Sequence, residues 1–241
     1  MVNRIKNRNF ISTAYSEESA LSYDKKRFTT PQGIIFNKLE MENLNNALSC
    51  VQKSSRILEV GCGTGRFILE ILKKGYKKIY GLDPSYFMLQ QTRLKINYSN
   101  NVNLFQAVGS ELPYKDGVFD FVYLIRILNQ VGSKQYALNI IHEVLRVCSK
   151  RGIILLEFVN SKSLSIRGRP CVRFSVREIN KISDLHAPIK ILRISGILFF
   201  TQTILNSIPV WFLNNYARID SFFAKILPQF CTRCYVVLRK N

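Results

Sequence analysis

The chain has 241 residues, of which 47% are apolar and 21% are charged. This composition indicates a globular protein and excludes a disordered chain, a collagen-like chain and a coiled coil. Six cysteines are too few for a disulfide scaffold, and the first ten residues lack the apolar run of a signal peptide. We therefore expect a cytoplasmic protein with reduced thiols, built mainly as one large domain.

The charge is strongly positive, with 35 Lys and Arg against 16 Asp and Glu and a formal net charge of +19. Residues 146–241 carry most of this excess, with sixteen basic and four acidic side chains. Such an asymmetry indicates an anionic partner, which is a nucleic acid, a membrane surface or a phosphorylated substrate, or else it serves only solubility. Charge alone does not choose among these.

Apolar strand patterns alternate with helical patterns through the middle of the chain. We predict strands at 56–60, 78–82, 102–108, 119–124 and 153–159, and helices at 67–74, 85–98 and 134–148. Buried strands that alternate with helices form a mostly parallel sheet covered on both faces. The predicted fold class is therefore a doubly wound, Rossmann-like α/β sheet.

Two regions lie outside this alternating core. Residues 1–50 are predicted as an N-terminal cap segment with a helix over 30–50, and residues 51–241 as a single domain. Within that domain, residues 160–230 contain a loop and a helical insertion. The pattern there predicts a basic loop at 161–170, a helix at 175–182, a strand at 188–194, the insertion over the charge-free stretch 194–217, and a final strand at 234–240.

The first predicted strand ends in a glycine-rich turn, Glu59-Val-Gly-Cys-Gly-Thr-Gly65. Its three glycines let the backbone turn tightly and approach a ligand, and the following helix presents free N–H groups there. Asp83 ends the next strand, where an acid can accept hydrogen bonds from a ribose diol. The spacing differs from the dinucleotide pattern G-x-G-x-x-G. Glu59 would also repel a pyrophosphate, whereas it suits a cofactor that carries an ammonium group.

Four segments of the chain resemble the class I S-adenosylmethionine-dependent methyltransferases, most closely the ubiquinone/menaquinone-biosynthesis-like (type 11) subgroup. They lie within residues 55–160 and read ILEVGCGTGRF, GLDPSYFML, GSELPYKDGVFDFVYL and HEVLRVCSKRGIILLE. The resemblance implies a seven-stranded sheet of order 3-2-1-4-5-7-6. It also implies S-adenosyl-L-methionine as the cofactor and methyl transfer by in-line displacement at the sulfonium.

The resemblance also implies which residues bind the cofactor. Asp83 would bind the ribose hydroxyls and Met88 would pack near the adenine. Tyr23 and Arg27 would order the methionine end from the N-terminal segment, although that segment is equally well interpreted as a solvated amphipathic helix. The full set of implied cofactor-binding residues is Tyr23, Arg27, Glu59, Gly61, Cys62, Gly63, Gly65, Asp83, Pro84, Met88, Gly109, Ser110, Glu111 and Leu124.

Three positions depart from the family pattern. Val108 stands where relatives often carry an acid that recognises adenine. Asn129 and Gln130 replace a common histidine pair, so no general base is evident and the catalytic residues stay unknown. Arg126 lies where the floor of the acceptor pocket is expected, and it is either a contact for an anionic acceptor or a surface residue.

Further patterns bear on partners. Cys231 and Cys234 form a C-x-x-C pair, but zinc needs four ligands, so we expect the cysteines to fill the core and no metal to bind. The charge-free stretch 194–217 is long enough to span a bilayer but contains Pro209 and several polar residues. We expect it to cover the acceptor pocket, with contact to a membrane interface as the second interpretation.

The sequence therefore predicts a methyltransferase that acts on a small-molecule, lipid-linked or glycan-type acceptor. RNA-directed methylation stays open, although the tetrad Asn/Asp-Pro-Pro-Tyr of base-amino methyltransferases is absent after strand four, where the chain has Tyr123-Leu-Ile-Arg126. A nicotinamide-dependent oxidoreductase and a non-catalytic cofactor-binding module stay open as well.

Overall fold

A computed structural model describes residues 15–163, 171–186 and 189–241 of the chain. Most of the predicted basic loop, residues 164–170, lies outside the described residues, as do residues 1–14. The strands are β1 (Ile57–Val60), β2 (Ile79–Asp83), β3 (Val102–Gln106), β4 (Phe119–Leu124), β5 (Cys148–Val159), β6 (Ile189–Ile197) and β7 (Arg233–Lys240). The helices are α1 (Glu17–Phe28), α2 (Pro31–Leu48), α3 (Arg66–Lys73), α4 (Tyr86–Lys95), α5 (Lys134–Val147), α6 (Val176–His186), α7 (Gln202–Ser207) and α8 (Leu213–Ile226).

The described strands form one seven-stranded sheet of order β3-β2-β1-β4-β5-β7-β6, which confirms the predicted fold class and strand order. Strands β1 to β5 pair in parallel, and β7 is antiparallel to both β5 and β6. The carboxyl ends of β1, β2 and β4 therefore lie side by side at one edge, where ligands of open α/β sheets bind.

Both faces of the sheet are covered. On one face, α2 and α3 pack against strand residues such as Tyr123 and Tyr235, together with the segment between β6 and β7. On the other face, α5 and α6 pack against residues such as Val122 and Val236. Because strands buried on both faces lack a polar side, they appear in the sequence as continuous apolar runs. This pattern made their prediction straightforward.

The helical insertion starts later and ends later than the charge-free stretch 194–217. Residues 194–197 complete β6, since Ile194 and Ile197 pair with Val236 and Arg233 of β7. The insertion then continues through α7, a 3-10 turn at Val210–Phe212, α8 and a second turn at Pro228–Phe230. An uncharged run is compatible with a buried strand and with a packed helix alike. Composition therefore could not show where β6 ends and the helical insertion begins.

Two further differences concern β5 and the cysteines. Strand β5 begins at Cys148 rather than at residue 153, because Cys148 pairs with Phe119 before a register shift. The expectation that the cysteines fill the core holds for Cys62, Cys148, Cys231 and Cys234, which are buried. It is wrong for Cys50, which is exposed just beyond the end of α2, and for Cys171, which is half-buried. Among the described residues, no helix combines the length and apolar composition needed to cross a bilayer.

Candidate active site

The glycine-rich turn joins β1 to α3 in a left-handed backbone conformation. Gly61, Gly63 and Gly65 have φ angles of 75°, 55° and 73°. Such angles favour glycine because a Cβ would crowd the following carbonyl. At Gly61 a Cβ would also come within 2.2 Å of the Ile127 side chain. The sequence pattern therefore reflects a steric requirement of this turn.

Asp83 is tied to this turn at the end of β2. Its carboxylate accepts hydrogen bonds from the backbone N–H groups of Gly63 and Ser85, each at 2.9 Å. Burial raises the pKa of Asp83 to about 6, and these two hydrogen bonds oppose the rise. The carboxylate is thus oriented by the backbone and still has acceptor capacity for a ligand.

Glu59 is a fully enclosed acid at the start of the turn. It is 2% exposed, and it accepts a hydrogen bond of 2.8 Å from the hydroxyl of Tyr123 on the neighbouring strand. Burial raises the pKa of Glu59 to about 8, although the Tyr123 hydrogen bond and the charge of Arg66 oppose the rise. Glu59 is therefore mainly protonated at neutral pH, and a cation bound beside it would favour its ionised form.

Two adjoining cavities of about 120 and 90 Å³ open at this edge of the sheet. Both are lined by Gly61 and Asp83, so the turn lies between them. The larger cavity has apolar walls from residues such as Val60, Leu82 and Ile140. Nine of the residues implied by the family resemblance line these cavities. Those that line the larger cavity are Gly61, Asp83, Pro84 and Gly109. Those that line the smaller cavity are Tyr23, Glu59, Gly61, Cys62, Gly63, Asp83 and Met88.

The remaining implied residues line neither of these cavities. Gly65 ends the turn as the N-cap residue of α3, and Leu124 is completely buried in the core. Ser110 and Glu111 follow Gly109 in the loop after β3 and stay outside the cavity walls. Arg27 contacts the ring of Tyr23 and lines a separate cavity beyond α1.

Helix α1 lies over the glycine-rich turn. The Asp24 carboxylate accepts a 2.7 Å hydrogen bond from the Thr64 hydroxyl and forms an ion pair with Lys95 of α4. Just before the helix, the Tyr15 hydroxyl donates to the side chain of Gln130 at 3.2 Å. Sequence reasoning missed these contacts because Thr64, Lys95 and Gln130 are distant in the chain from Asp24 and Tyr15, which they contact.

Arg126 follows β4 in a strained conformation, with a φ angle of 65° that is uncommon for a residue with a side chain. Its backbone N–H donates a 2.6 Å hydrogen bond to the buried carboxylate of Glu157 on β5. Its guanidinium lies 5.3 Å from the ring centre of Phe36 and 5.8 Å from that of Phe28. Strain of this kind is often retained at functional sites, where the surrounding contacts maintain it.

Gly65→Ala is expected to destabilise the protein by about 2–4 kcal/mol, as the sum of a left-handed alanine and an overpacked contact. Its Cβ would lie 2.5 Å from Cγ2 of the buried Thr92. Gly75→Ala is the matched control, since Gly75 also has a positive φ, of 85°, but open space around it. Urea denaturation should show a loss of only about 1–2 kcal/mol there. Equal losses at both positions would contradict the role of the Thr92 contact.

Comparisons with known proteins agree with this geometry. A family described as a methyltransferase domain matches residues 58–156. An O-methyltransferase of Aspergillus nomiae is 33% identical over 104 residues, which cover 42% of this chain and 46% of that protein. A demethylmenaquinone methyltransferase of Staphylococcus haemolyticus is 31% identical over 98 residues, which cover 40% and 41%. The chain thus matches about half the length, or less, of these curated relatives.

Among solved structures, the magnesium protoporphyrin IX methyltransferase of Synechocystis with bound S-adenosylmethionine has a similar fold. The TM-score is 0.65 over 99% of this chain and 96% of that chain, at 14% sequence identity. The matched family segment contains the glycine-rich turn, Asp83 and β4. The match over residues 58–156 confirms the methyltransferase family predicted from the motifs of this segment, a family whose cofactor is S-adenosylmethionine.

Proposed function

We propose that this protein transfers a methyl group from S-adenosylmethionine to a small-molecule or lipid-linked acceptor. The proposal is carried by one observation: two acidic residues, Glu59 and Asp83, both line the smaller cavity beside the glycine-rich turn. One acid suits the ammonium group of the cofactor's methionine part, and the other suits its ribose diol.

The described residues fit this cofactor in all three of its parts. Asp83 lines both cavities, and its carboxylate is positioned by two backbone N–H groups. Glu59 lies in the smaller cavity, next to the turn where the methionine part would lie. The apolar walls of the larger cavity, from Val60, Leu82 and Ile140, provide a dry surface for adenine.

When bound, S-adenosylmethionine supplies an electrophilic methyl group on its sulfonium. The chain's own contribution is to hold this group in line with an acceptor and to exclude water. Tyr15, Tyr23 and Phe28 line the smaller cavity from the N-terminal segment, so this segment would cap the bound cofactor. Asn129 and Gln130 offer no base of suitable pKa, which favours an acceptor that needs little deprotonation.

Calorimetric titration of the protein with S-adenosylmethionine, S-adenosylhomocysteine and NADH tests the cofactor assignment. We expect micromolar binding of the first two ligands and none of NADH, because the glycine spacing of the turn differs from the dinucleotide pattern G-x-G-x-x-G. Methyl transfer would then be measured with a methyl-labelled cofactor and a panel of lipid, glycan and small acidic acceptors. Binding of NADH alone would replace the proposal with an oxidoreductase.

We further propose that the insertion contacts an anionic lipid surface. Trp211 is 82% exposed, and Ile219, Phe222 and Ile226 are exposed at helical spacing along α8. Exposed basic residues, Arg218 and Lys225, flank this apolar row on the same helix. The one acid of the insertion, Asp220, is buried, so its charged surface is entirely positive. Apolar side chains beside cations complement a negatively charged membrane interface.

The single tryptophan of the chain is a built-in probe for this contact. Vesicles of phosphatidylcholine with phosphatidylglycerol should shift Trp211 fluorescence to the blue, and phosphatidylcholine alone should shift it less. Phe222→Ser should weaken the shift, whereas Leu94→Ser, at a similarly exposed residue of α4, should leave it unchanged. A blue shift that grows with protein concentration without vesicles would instead assign this face to a second copy of the chain.

A further inference from the structure

A third cavity, of about 440 Å³, lies beyond α1 and next to the cofactor pocket. Its walls come from α1, α2, α7, the end of β4 and the start of β7. Four of the described lining residues are basic and none is acidic: the lining set is Lys26, Arg27, Thr30, Gln32, Gly33, Phe36, Arg126, Asn206 and Arg233. A concave site with one sign of charge concentrates ligands of the opposite charge.

Only part of this positive charge is neutralised within the described structure. Arg233 forms a 2.6 Å ion pair with the buried Glu157. The other oxygen of Glu157 accepts the backbone N–H of Arg126, so this carboxylate is fully engaged. None of the ion pairs among the described residues includes Lys26, Arg27 or the guanidinium of Arg126. The buried Nε of Arg126 has no hydrogen-bond partner there.

Arg126 connects this cavity to the cofactor pocket. It is the one described residue that lines both this cavity and the smaller cofactor cavity. The hydrogen bond to Glu157 fixes its backbone, while its guanidinium lies near the rings of Phe28 and Phe36. A ligand group held by this guanidinium would therefore lie beside the bound methyl donor.

We infer that the acceptor carries a phosphate or carboxylate group, which Arg126 binds together with Lys26 and Arg27 in this cavity. The inference rests on the proposed function, because it makes the cavity the acceptor side of the methyl-transfer site. Guanidinium and ammonium groups recognise both kinds of anion through charge-assisted hydrogen bonds. The uncompensated charge of the lining and the unpaired Nε of Arg126 both support an anion there.

The inference is tested by titrating the protein, saturated with S-adenosylhomocysteine, with phenyl phosphate, benzoate and the neutral benzyl alcohol. At least one anion should bind, and the alcohol should not. Lys26→Met should weaken anion binding about 10-fold, and Arg126→Asn should weaken it at least as much, through loss of charge-assisted hydrogen bonds. Asparagine tolerates the left-handed backbone at residue 126, so that variant should fold.

Lys25→Met is the matched control, because Lys25 neighbours Lys26 on α1 but does not line the cavity. It should leave anion binding unchanged, and Lys26→Met should leave the affinity for S-adenosylhomocysteine unchanged. Equal binding of benzyl alcohol, or equal effects of the two lysine substitutions, would overturn the inference. Competition between the anion and S-adenosylhomocysteine would also overturn it, by assigning Arg126 to the cofactor's own carboxylate.

Failure of the proposed function gives a different result. In that case S-adenosylhomocysteine does not bind at all, and the same titration of the ligand-free protein still measures the anion site. Anion binding that depends on Lys26 but not on Lys25 would then show that the basic cavity binds anions in a protein that does not bind the methyl donor.

Discussion

Asp83→Ala is expected to weaken the binding of S-adenosylhomocysteine about 100-fold, which corresponds to about 3 kcal/mol. The substitution removes the acceptor for the ribose hydroxyls. It also leaves the N–H groups of Gly63 and Ser85 without their partner, which loosens the turn itself. Calorimetric titration measures the affinity, and a thermal melt of each variant shows that it folds.

Gln106→Ala is the matched control for Asp83. Gln106 ends β3 directly beside Asp83, and its amide donates to the carbonyl of Pro84, but it lines neither cofactor cavity. The control should change the affinity less than about 2-fold, within the usual effect of a surface substitution. An unchanged affinity in Asp83→Ala would contradict the assignment of the ribose site.

The cofactor affinity of the wild type should also depend on pH through Asp83. Its pKa of about 6 means that the carboxylate is largely ionised at pH 7.5 and largely protonated at pH 5. The protonated form accepts fewer hydrogen bonds, so the affinity should fall as the pH falls through about 6. A titration series from pH 7.5 to pH 5 measures this in Glu59→Gln, where the Glu59 proton does not contribute, and adding Asp83→Asn to that variant should remove the fall.

Glu59 should release a proton when S-adenosylmethionine binds. At pH 7 the ligand-free protein holds Glu59 mainly protonated, because burial raises its pKa to about 8. The ammonium group of the cofactor would favour the ionised carboxylate and displace this proton. Titrations in buffers of different ionisation enthalpy should report release of nearly one proton at pH 7. Glu59→Gln should abolish the release, and an equal release in that variant would contradict the assignment.

Glu59 should also make the unfolding free energy of the ligand-free protein depend on pH. Its pKa is raised on folding from an ordinary value of 4.5 to about 8, so its stabilising contribution is complete below about pH 4.5. That contribution is lost as the pH rises to about 8. Relative to Glu59→Gln, the wild type should lose about 2–4 kcal/mol of unfolding free energy between pH 5 and pH 9. Urea denaturation at several pH values measures this difference, and parallel pH profiles would contradict it.

Much of this protein follows from local features of its sequence. Continuous apolar runs predict the central strands, because strands buried on both faces need no polar side. The glycines at 61, 63 and 65 predict the turn, since their left-handed backbone excludes other residues. The acid at the tip of the second strand and its spacing from the turn predict the ribose site. These features depend on residues that are close together in the chain, so a local sequence pattern can predict them.

Other features were decided only by contacts between distant residues. The end of β6 depends on pairing with β7, the position of α1 depends on the contacts of Asp24 with Thr64 and Lys95, and the charge state of Glu59 depends on complete burial beside Tyr123. The basic cavity is the clearest case. Lys26, Arg126 and Arg233 are far apart in sequence, and Glu157 neutralises only one of the guanidiniums. Composition records the excess of positive charge, whereas only the tertiary structure determines which charges meet and which of them a buried acid compensates.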